Sequence, residues 1–374
     1  MSSEPKQAPK NGGLSQTQLF IVIIQYQIGF ASLRIPYSAN KTAGHDGWIS
    51  VLLAGVLAQI IITITWTVLK RYPRQDLFQI AGRLLGKTGG KLISFLCAVY
   101  FTAALVYMFL EFTRLIHVWV LPLTPNWALM LIPAITMAML AAEPFSALVR
   151  FLILTLGMLA APILLAIIPL LNGEPLYLLP IGENGVWNIV KGSKDAYLGL
   201  LGFEVIFIAY CKANGTSLRK LGSMSLANGF VTLYYVFLTV VGIMTFSHKE
   251  LQMVPEPVLY MLKSVSFNIF ERPDLIFFTV WSVVILATTI GYLFLASVAF
   301  QRGIGLKRKW NILAIVLLCY VLNIFTYKQK FIEQLGICVE FASYAAVVVI
   351  PLLLLLVSLF RKPASSSSSS AGGA

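Results

Sequence analysis

The sequence predicts an all-α membrane protein of about ten transmembrane helices, and three observations predict it. Apolar residues fill 58% of the 374 positions and charged residues only 11%, against about a quarter charged in an ordinary globular domain. The mean hydropathy is +0.82, too apolar for one soluble core to hide, so lipid is the solvent this chain needs. The apolar residues also fall in long runs, and a helix crossing a hydrocarbon layer about 30 Å thick needs roughly 20 of them.

A polar tail, 1–13, comes first. Spans are then expected at 15–39, 47–69, 91–119, 125–142, 145–171, 195–213, 221–247, 274–301, 310–327 and 331–360. The first run continues through Arg34 and Pro36 without a small-residue cleavage site, so it reads as a retained helix and not a signal peptide. Between spans 2 and 3, residues 74–87 place Leu77, Ala81, Leu84 and Leu85 on one helical face and Arg74, Asp76, Arg83 and Lys87 elsewhere. That pattern predicts an interfacial amphipathic helix. Residues 256–270, between spans 7 and 8, are also half-apolar and helical in pattern. Spans 4 and 5 are separated only by the Glu143-Pro144 corner. The transmembrane domain is expected to cover 14–362, and 363–374 is a low-complexity Ser/Gly/Ala tail expected to be disordered.

A net charge of +13 raises the question of nucleic acid. The distribution answers it, because the basic residues sit in short clusters between apolar runs, as in the cytoplasmic loops of membrane proteins. No nucleic-acid partner is expected. With ten spans and the N-terminus inside, Lys41, Lys191, Lys194, Lys249, Lys263, Arg272, Lys328 and Lys330 lie on the outer side, and Arg34 and Arg114 lie within spans. The other 18 of the 28 Lys and Arg fall inside, which predicts cytoplasmic termini. Cys97, Cys211, Cys319 and Cys338 sit in or beside apolar runs with no metal or disulfide spacing. His45, His117 and His248 are scattered, and no HExxH, P-loop or GxSxG sequence occurs. The expectation is a protein that is not an enzyme and uses no metal or cofactor. Asn214-Gly-Thr216 matches a glycosylation sequon but falls on the expected inner side.

The strongest internal signal is a repeat. Ile28-Gly-Phe-Ala-Ser-Leu-Arg-Ile-Pro-Tyr37 in span 1 aligns with Leu201-Gly-Phe-Glu-Val-Ile-Phe-Ile-Ala-Tyr210 in span 6, with Gly, Phe, Ile and Tyr at matching places. Each copy is followed by a similar tetrapeptide, Ala39-Asn-Lys-Thr42 and Ala213-Asn-Gly-Thr216. An offset of five spans makes the halves, about 15–171 and 195–360, inverted in the membrane, a plan shared by many secondary transporters. In that plan the first helix of each half breaks near the midplane, and its freed backbone groups face a solute. The predicted solute site is therefore Gly29, Phe30, Ala31 and Ser32 together with Gly202, Phe203 and Glu204. An α-amino acid suits it: the carboxylate takes N–H donors at a half-helix N-terminus and the ammonium takes freed carbonyls. The alternative is glycine as a close-packing residue between helices.

Arg34, Glu111, Arg114, Glu204 and Glu340 are charges within spans, all in the outer half. Ionisable groups at depth face a cavity or pair with one another. An outward vestibule, with Glu204 near the solute and an Arg34–Glu111 pair, is one reading; a structural ion-pair network is the other. Tyr100, Thr288, Thr289, Tyr292 and Phe341 are further candidates for solute contact, or for a sodium ion between spans 1 and 8. Hydroxyls at such depth also bond back to their own helix.

Several pieces, in order and spacing, resemble the B subunits of bacterial spore germinant receptors. These endospore germination permeases are a branch of the amino acid–polyamine–organocation transporters. The pieces are Leu14-Ser-x-x-Gln18, Ile28-Gly29 with Pro36, Asp46-Gly-Trp-Ile-Ser50, Leu85-Gly-Lys87, Leu121-Pro-x-Thr-Pro125, Gly202-Phe-Glu204, and Phe270-Glu-Arg-x-Asp274 followed by Trp281. The chain departs from the family pattern at Glu143-Pro144, although Arg150 fits. It departs again at Ile208-Ala209-Tyr210, where a proline is common. The resemblance implies a LeuT-type fold with broken helices 1 and 6. It also implies an amino-acid sensor in the inner membrane of the spore, working with an A subunit and a lipoprotein C subunit. The alternative is an ion-coupled amino-acid permease.

Overall fold

A computed structural model of the chain describes residues 13–29, 31–264, 273–325 and 329–360, which are helical nearly throughout and contain no β-strand. The first span is two helices, α1 (Gln16–Gln27) and α2 (Ala31–Ala43). Ser15 caps α1 in a capping box with Gln18, which satisfies two N–H groups that the first turn would otherwise leave free. Ile28 leaves helical geometry at the other end, with φ −88° and ψ 98°. A 3₁₀ turn, Gly44–Asp46, leads into α3 (Gly47–Leu69).

Asp76 caps α4 (Leu77–Trp119) through a second capping box with Gln79. The amphipathic segment expected at 74–87 and the third span are one chain of helix, bent at Gly86, whose φ of 79° and ψ of 173° are open to glycine. Next come α5 (Asn126–Ala142), α6 (Phe145–Leu154), a 3₁₀ segment at Leu156–Ala160 and α7 (Ala161–Asn172). The expected fifth span is thus bent, by 44°.

The sixth span begins ten residues earlier than expected, with α8 (Gly185–Tyr197), so Lys191 and Lys194 lie on a helix and not in a loop. It passes through a 3₁₀ turn at Leu198–Leu200, an extended Leu201, Gly202 at φ 120° and a second 3₁₀ turn at Phe203–Val205. It then continues as α9 (Ile206–Lys212). Thr216 of the sequon is the N-cap of α10 (Ser217–Thr245). Two short helices follow, α11 (His248–Met253) and α12 (Pro257–Ser264). The rest of the helix expected at 256–270, and most of the Phe270–Asp274 motif, lie outside the described residues. The chain closes with α13 (Pro273–Gly303), α14 (Arg308–Phe325), α15 (Gln329–Ser343), a π-helical turn at Tyr344–Val349 and α16 (Ile350–Phe360).

Among the described residues, six helical stretches are long and apolar enough to cross a membrane, and the bent α6–α7 pair makes a seventh. The expected spans 1 and 6 miss that length because they are interrupted, and α5 has 17 residues. Spans five places apart pack on one another: α1 on the turn Phe203–Val205, α3 on α10, α4 on α13, and α5 on α14.

Candidate functional site

The two interruptions meet at the centre. Gly202 sits directly on the backbone of α1: a Cβ there would overlap the Tyr26 carbonyl and lie 2.7 Å from the Gln27 nitrogen. Gly29 faces α13, where a Cβ would lie 3.1 Å from Thr288 Oγ1 and 3.2 Å from its methyl carbon. The Tyr235 hydroxyl donates to the Gln27 carbonyl at 2.8 Å, and Thr288 Oγ1 donates to the Gln25 carbonyl at 3.0 Å. Carbonyls that lose helical partners at the break thereby find new ones, as the absence of water in a bilayer requires.

Beside this junction lies a cavity of about 440 Å³. Its walls are Tyr26, Gln27, Gly29, Ala31 and Arg34 from the first span, Leu198, Gly199 and Leu201 from the sixth, Thr288 and Tyr292 from α13, and one face of α4. That face carries Tyr100, Ala104, Tyr107, Met108 and Glu111, spaced at three and four residues so that all point the same way. At a rise of 1.5 Å per residue, about 16 Å separates Tyr100 from Glu111, so the cavity runs from a floor at Tyr100 to a mouth at Glu111. Exposed residues Lys41, Asp195 and Glu333 line the mouth.

Charge is segregated along this axis. At the mouth, Glu111 accepts from Arg34 at 3.0 Å and from Arg114 at 2.8 Å, and Arg114 also pairs with Glu256 just before α12. Glu340 pairs with Lys194 at 3.3 Å and accepts from the Tyr344 hydroxyl. At the floor the side chains are aromatic or uncharged, and Glu204 stands one layer behind them, 0% exposed. It accepts from the Tyr100 hydroxyl at 2.5 Å, the Tyr292 hydroxyl at 3.3 Å and the Gly202 N–H. The far side of the floor is closed. Leu14 N–H donates to the Lys212 carbonyl at 2.9 Å and Asn214 N–H to the Leu14 carbonyl at 2.8 Å, while Gln16 reaches the Asn214 carbonyl and accepts from Ser223.

Of the residues predicted from sequence, Gly29, Ala31, Arg34, Tyr100, Glu111, Thr288, Tyr292 and Glu340 line the cavity. Gly202, Phe203 and Glu204 are buried behind it, and Phe30 lies outside the described residues. Ser32 donates to the Gly29 carbonyl at 2.7 Å and Thr289 to the Leu286 carbonyl at 2.8 Å, so both bond within their own span and neither lines the cavity. Phe341 corrects an expectation: it is 62% exposed, away from the cavity and beneath the Lys194 ammonium. One residue is about 100° of helix rotation, so Glu340 facing the cavity turns its neighbour outward. Tyr26, Gln27, Tyr107 and Leu201 were missed. Polar Tyr26 and Gln27 inside an apolar run, and the three- and four-residue spacing from Tyr100 to Glu111, were the available signals.

Comparison with known proteins places this geometry. Residues 13–332 match the family described as spore germination protein. The chain belongs to the spore germination protein family. GerQB of Bacillus cereus is 26% identical over 339 residues, covering 88% of this chain and 91% of that protein. YndE of Bacillus subtilis is 24% identical over 341 residues, covering 86% and 90%. Among solved structures, MhsT in complex with L-phenylalanine aligns with a TM-score of 0.65 at 16% identity, covering 93% of this chain and 89% of MhsT. That likeness is one of fold. The expected LeuT-type architecture is therefore the fold of this family member, a multi-pass membrane protein.

Proposed function

We propose that this chain is the germinant-sensing membrane subunit of a spore germinant receptor and takes an amino acid into the cavity between its two interrupted spans. The observation that carries the reading is the cavity itself. In a chain of this family, it lies between the two interrupted spans and has an open mouth and a closed opposite end. Its volume exceeds that of an amino acid, and MhsT, which shares the fold, is a complex with L-phenylalanine. Solute binding would shift a conformational equilibrium that partner proteins read, here an A subunit and a lipoprotein C subunit. In this reading the membrane is the inner membrane of the spore, both termini are cytoplasmic, and the mouth faces away from the cytoplasm. The inverted halves at about 15–171 and 195–360 supply one break each.

A second reading, a secondary active amino-acid transporter, is favoured by the fold shared with MhsT. Uptake of radiolabelled amino acids into proteoliposomes separates the two. Binding without flux is expected of a sensor, and robust counterflow by the chain alone would sink that reading. For the site, Gly29→Leu should abolish the germinant response while protein level persists; a normal response overturns the assignment.

A further inference from the structure

Tyr100, Tyr292, Thr288 and Gln27, at the floor of the cavity, have already committed their hydrogens. A hydroxyl carries one hydrogen and two lone pairs, and a side-chain amide keeps its lone pairs on oxygen. Tyr100 and Tyr292 both donate to Glu204 Oε1, at 2.5 and 3.3 Å. Thr288 donates to backbone carbonyls of Gln25 and Val284, at 3.0 and 3.2 Å. Gln27, 2% exposed, directs Nε2 to the Leu200 carbonyl at 2.9 Å and to Asn228 Oδ1 at 3.4 Å, which leaves its Oε1 without a partner. Tyr26 also forms part of the wall; its hydroxyl has no hydrogen-bond partner among the described residues and packs against Gly291, where a Cβ would lie 2.8 Å from it. What the other four side chains leave for a ligand is lone pairs.

Behind them Glu204 takes three donors and has no ion-pair partner among the described residues. An acidic group buried in hydrocarbon without a counter-charge is costly to ionise. The cation that relieves this cost can come from the cavity.

We propose that the floor is a subsite for a primary ammonium group, accepted by the oxygens of Tyr100, Tyr292 and Gln27, with Glu204 supplying the compensating charge from behind. Glu204 touches no ligand. It is a positioning residue: by taking the tyrosine hydrogens it turns both hydroxyls into acceptors. The ligand class follows as a primary amine with an apolar body, packed on Ala104, Met108, Leu198 and Leu201. The ammonium is the group read at the floor, and the carboxylate of an amino acid is read elsewhere. This inference rests on the preceding reading that the cavity holds a solute.

The test uses two sets of three probes on the purified full chain, with thermal stabilisation as the readout. The sets are L-alanine, L-alaninol and propionate, and L-leucine, L-leucinol and 4-methylpentanoate. In at least one set, the amino acid and the amino alcohol should stabilise, and the acid lacking the amine should need about 10- to 100-fold more, the usual worth of a hydrogen bond to a charged group. An acid that matches its amino alcohol overturns the ammonium subsite and leaves the solute reading intact. If none of the six stabilises, the solute reading itself fails for small amino acids, and the subsite falls with it. Glu204→Gln, which keeps shape and removes charge, should lower the amine-to-acid discrimination at least tenfold. Tyr292→Phe, which keeps the ring, should lower it by a smaller factor and carries the test if the Gln variant does not fold. Unchanged discrimination in a folded variant overturns the role given to Glu204.

Discussion

The two interruptions share a Gly-Phe motif in sequence and differ in what makes them. At the second, Gly202 adopts φ 120° and lies on the Tyr26 carbonyl, so both its backbone and the missing Cβ are required. A β-carbon at such a φ is strained, and the atom it would strike is main chain, which has nowhere to go. At the first, Gly29 is not among the glycines of positive φ, and its nearest neighbours are the side-chain atoms of Thr288. One break is imposed by its own glycine. The other is held by partners, through Thr288 and Tyr235 bonds to α1 and through Arg34 at the mouth. A repeated motif therefore does not imply a repeated mechanism.

The largest expected effect is at the second break. Gly202→Ala should destabilise the chain by about 3 kcal/mol or more, from backbone strain together with overlap in a packed core. A melting temperature in detergent close to the parent's would show that the second break relaxes as the first can. Next is the network that holds α2. Glu111→Ala removes the acceptor shared by Arg34 and Arg114, whose side chains are 27% and 20% exposed. The loss should fall between the exposed and buried limits, at about 2 kcal/mol, read by denaturant unfolding; no change would mean that α2 is held by packing alone.

Gly29→Ala should cost less, about 1 kcal/mol, because the Thr288 methyl can give by a few tenths of an ångström. Adding Thr288→Ser, which removes that methyl but keeps the nearer hydroxyl oxygen and its bond to Gln25, should restore part of the loss. Failure of the double variant to recover would make the first break as rigid as the second.

The smallest effect concerns the far end of α2, where His248 packs near Gly44 and His45, with the two imidazole centroids 5.5 Å apart. Burial, and then the neighbouring His45, hold the His248 imidazole below its ordinary value of 6.5. The unfolded chain therefore takes up this proton first, and stability is lost as pH falls below 6.5 toward the lowered folded-state value. The melting temperature should drop slightly between pH 7.5 and 5.5 in the parent and less in His248→Gln. Equal drops would remove His248 from the account.

Much of this was legible in the residues because of one physical fact. In lipid every backbone group must be satisfied within the chain, so apolar runs of a fixed length can only be helices. Sequence therefore determined the fold class, most helix positions, and the paired glycines that mark the breaks. It also supplied Tyr100, Thr288 and Tyr292 as candidates, since hydroxyls deep in an apolar run stand out. What it did not decide is direction. Glu340 faces the cavity while Phe341 beside it faces away, Thr289 bonds back while Thr288 reaches α1, and Glu204 stands behind two tyrosines and not in the cavity wall. Those choices depend on how each helix is rotated against its neighbours. In a membrane, where lipid and interior are equally apolar, hydrophobic pattern carries little of that information. Only the tertiary packing fixed the rotations, and with them which polar atoms a solute would meet.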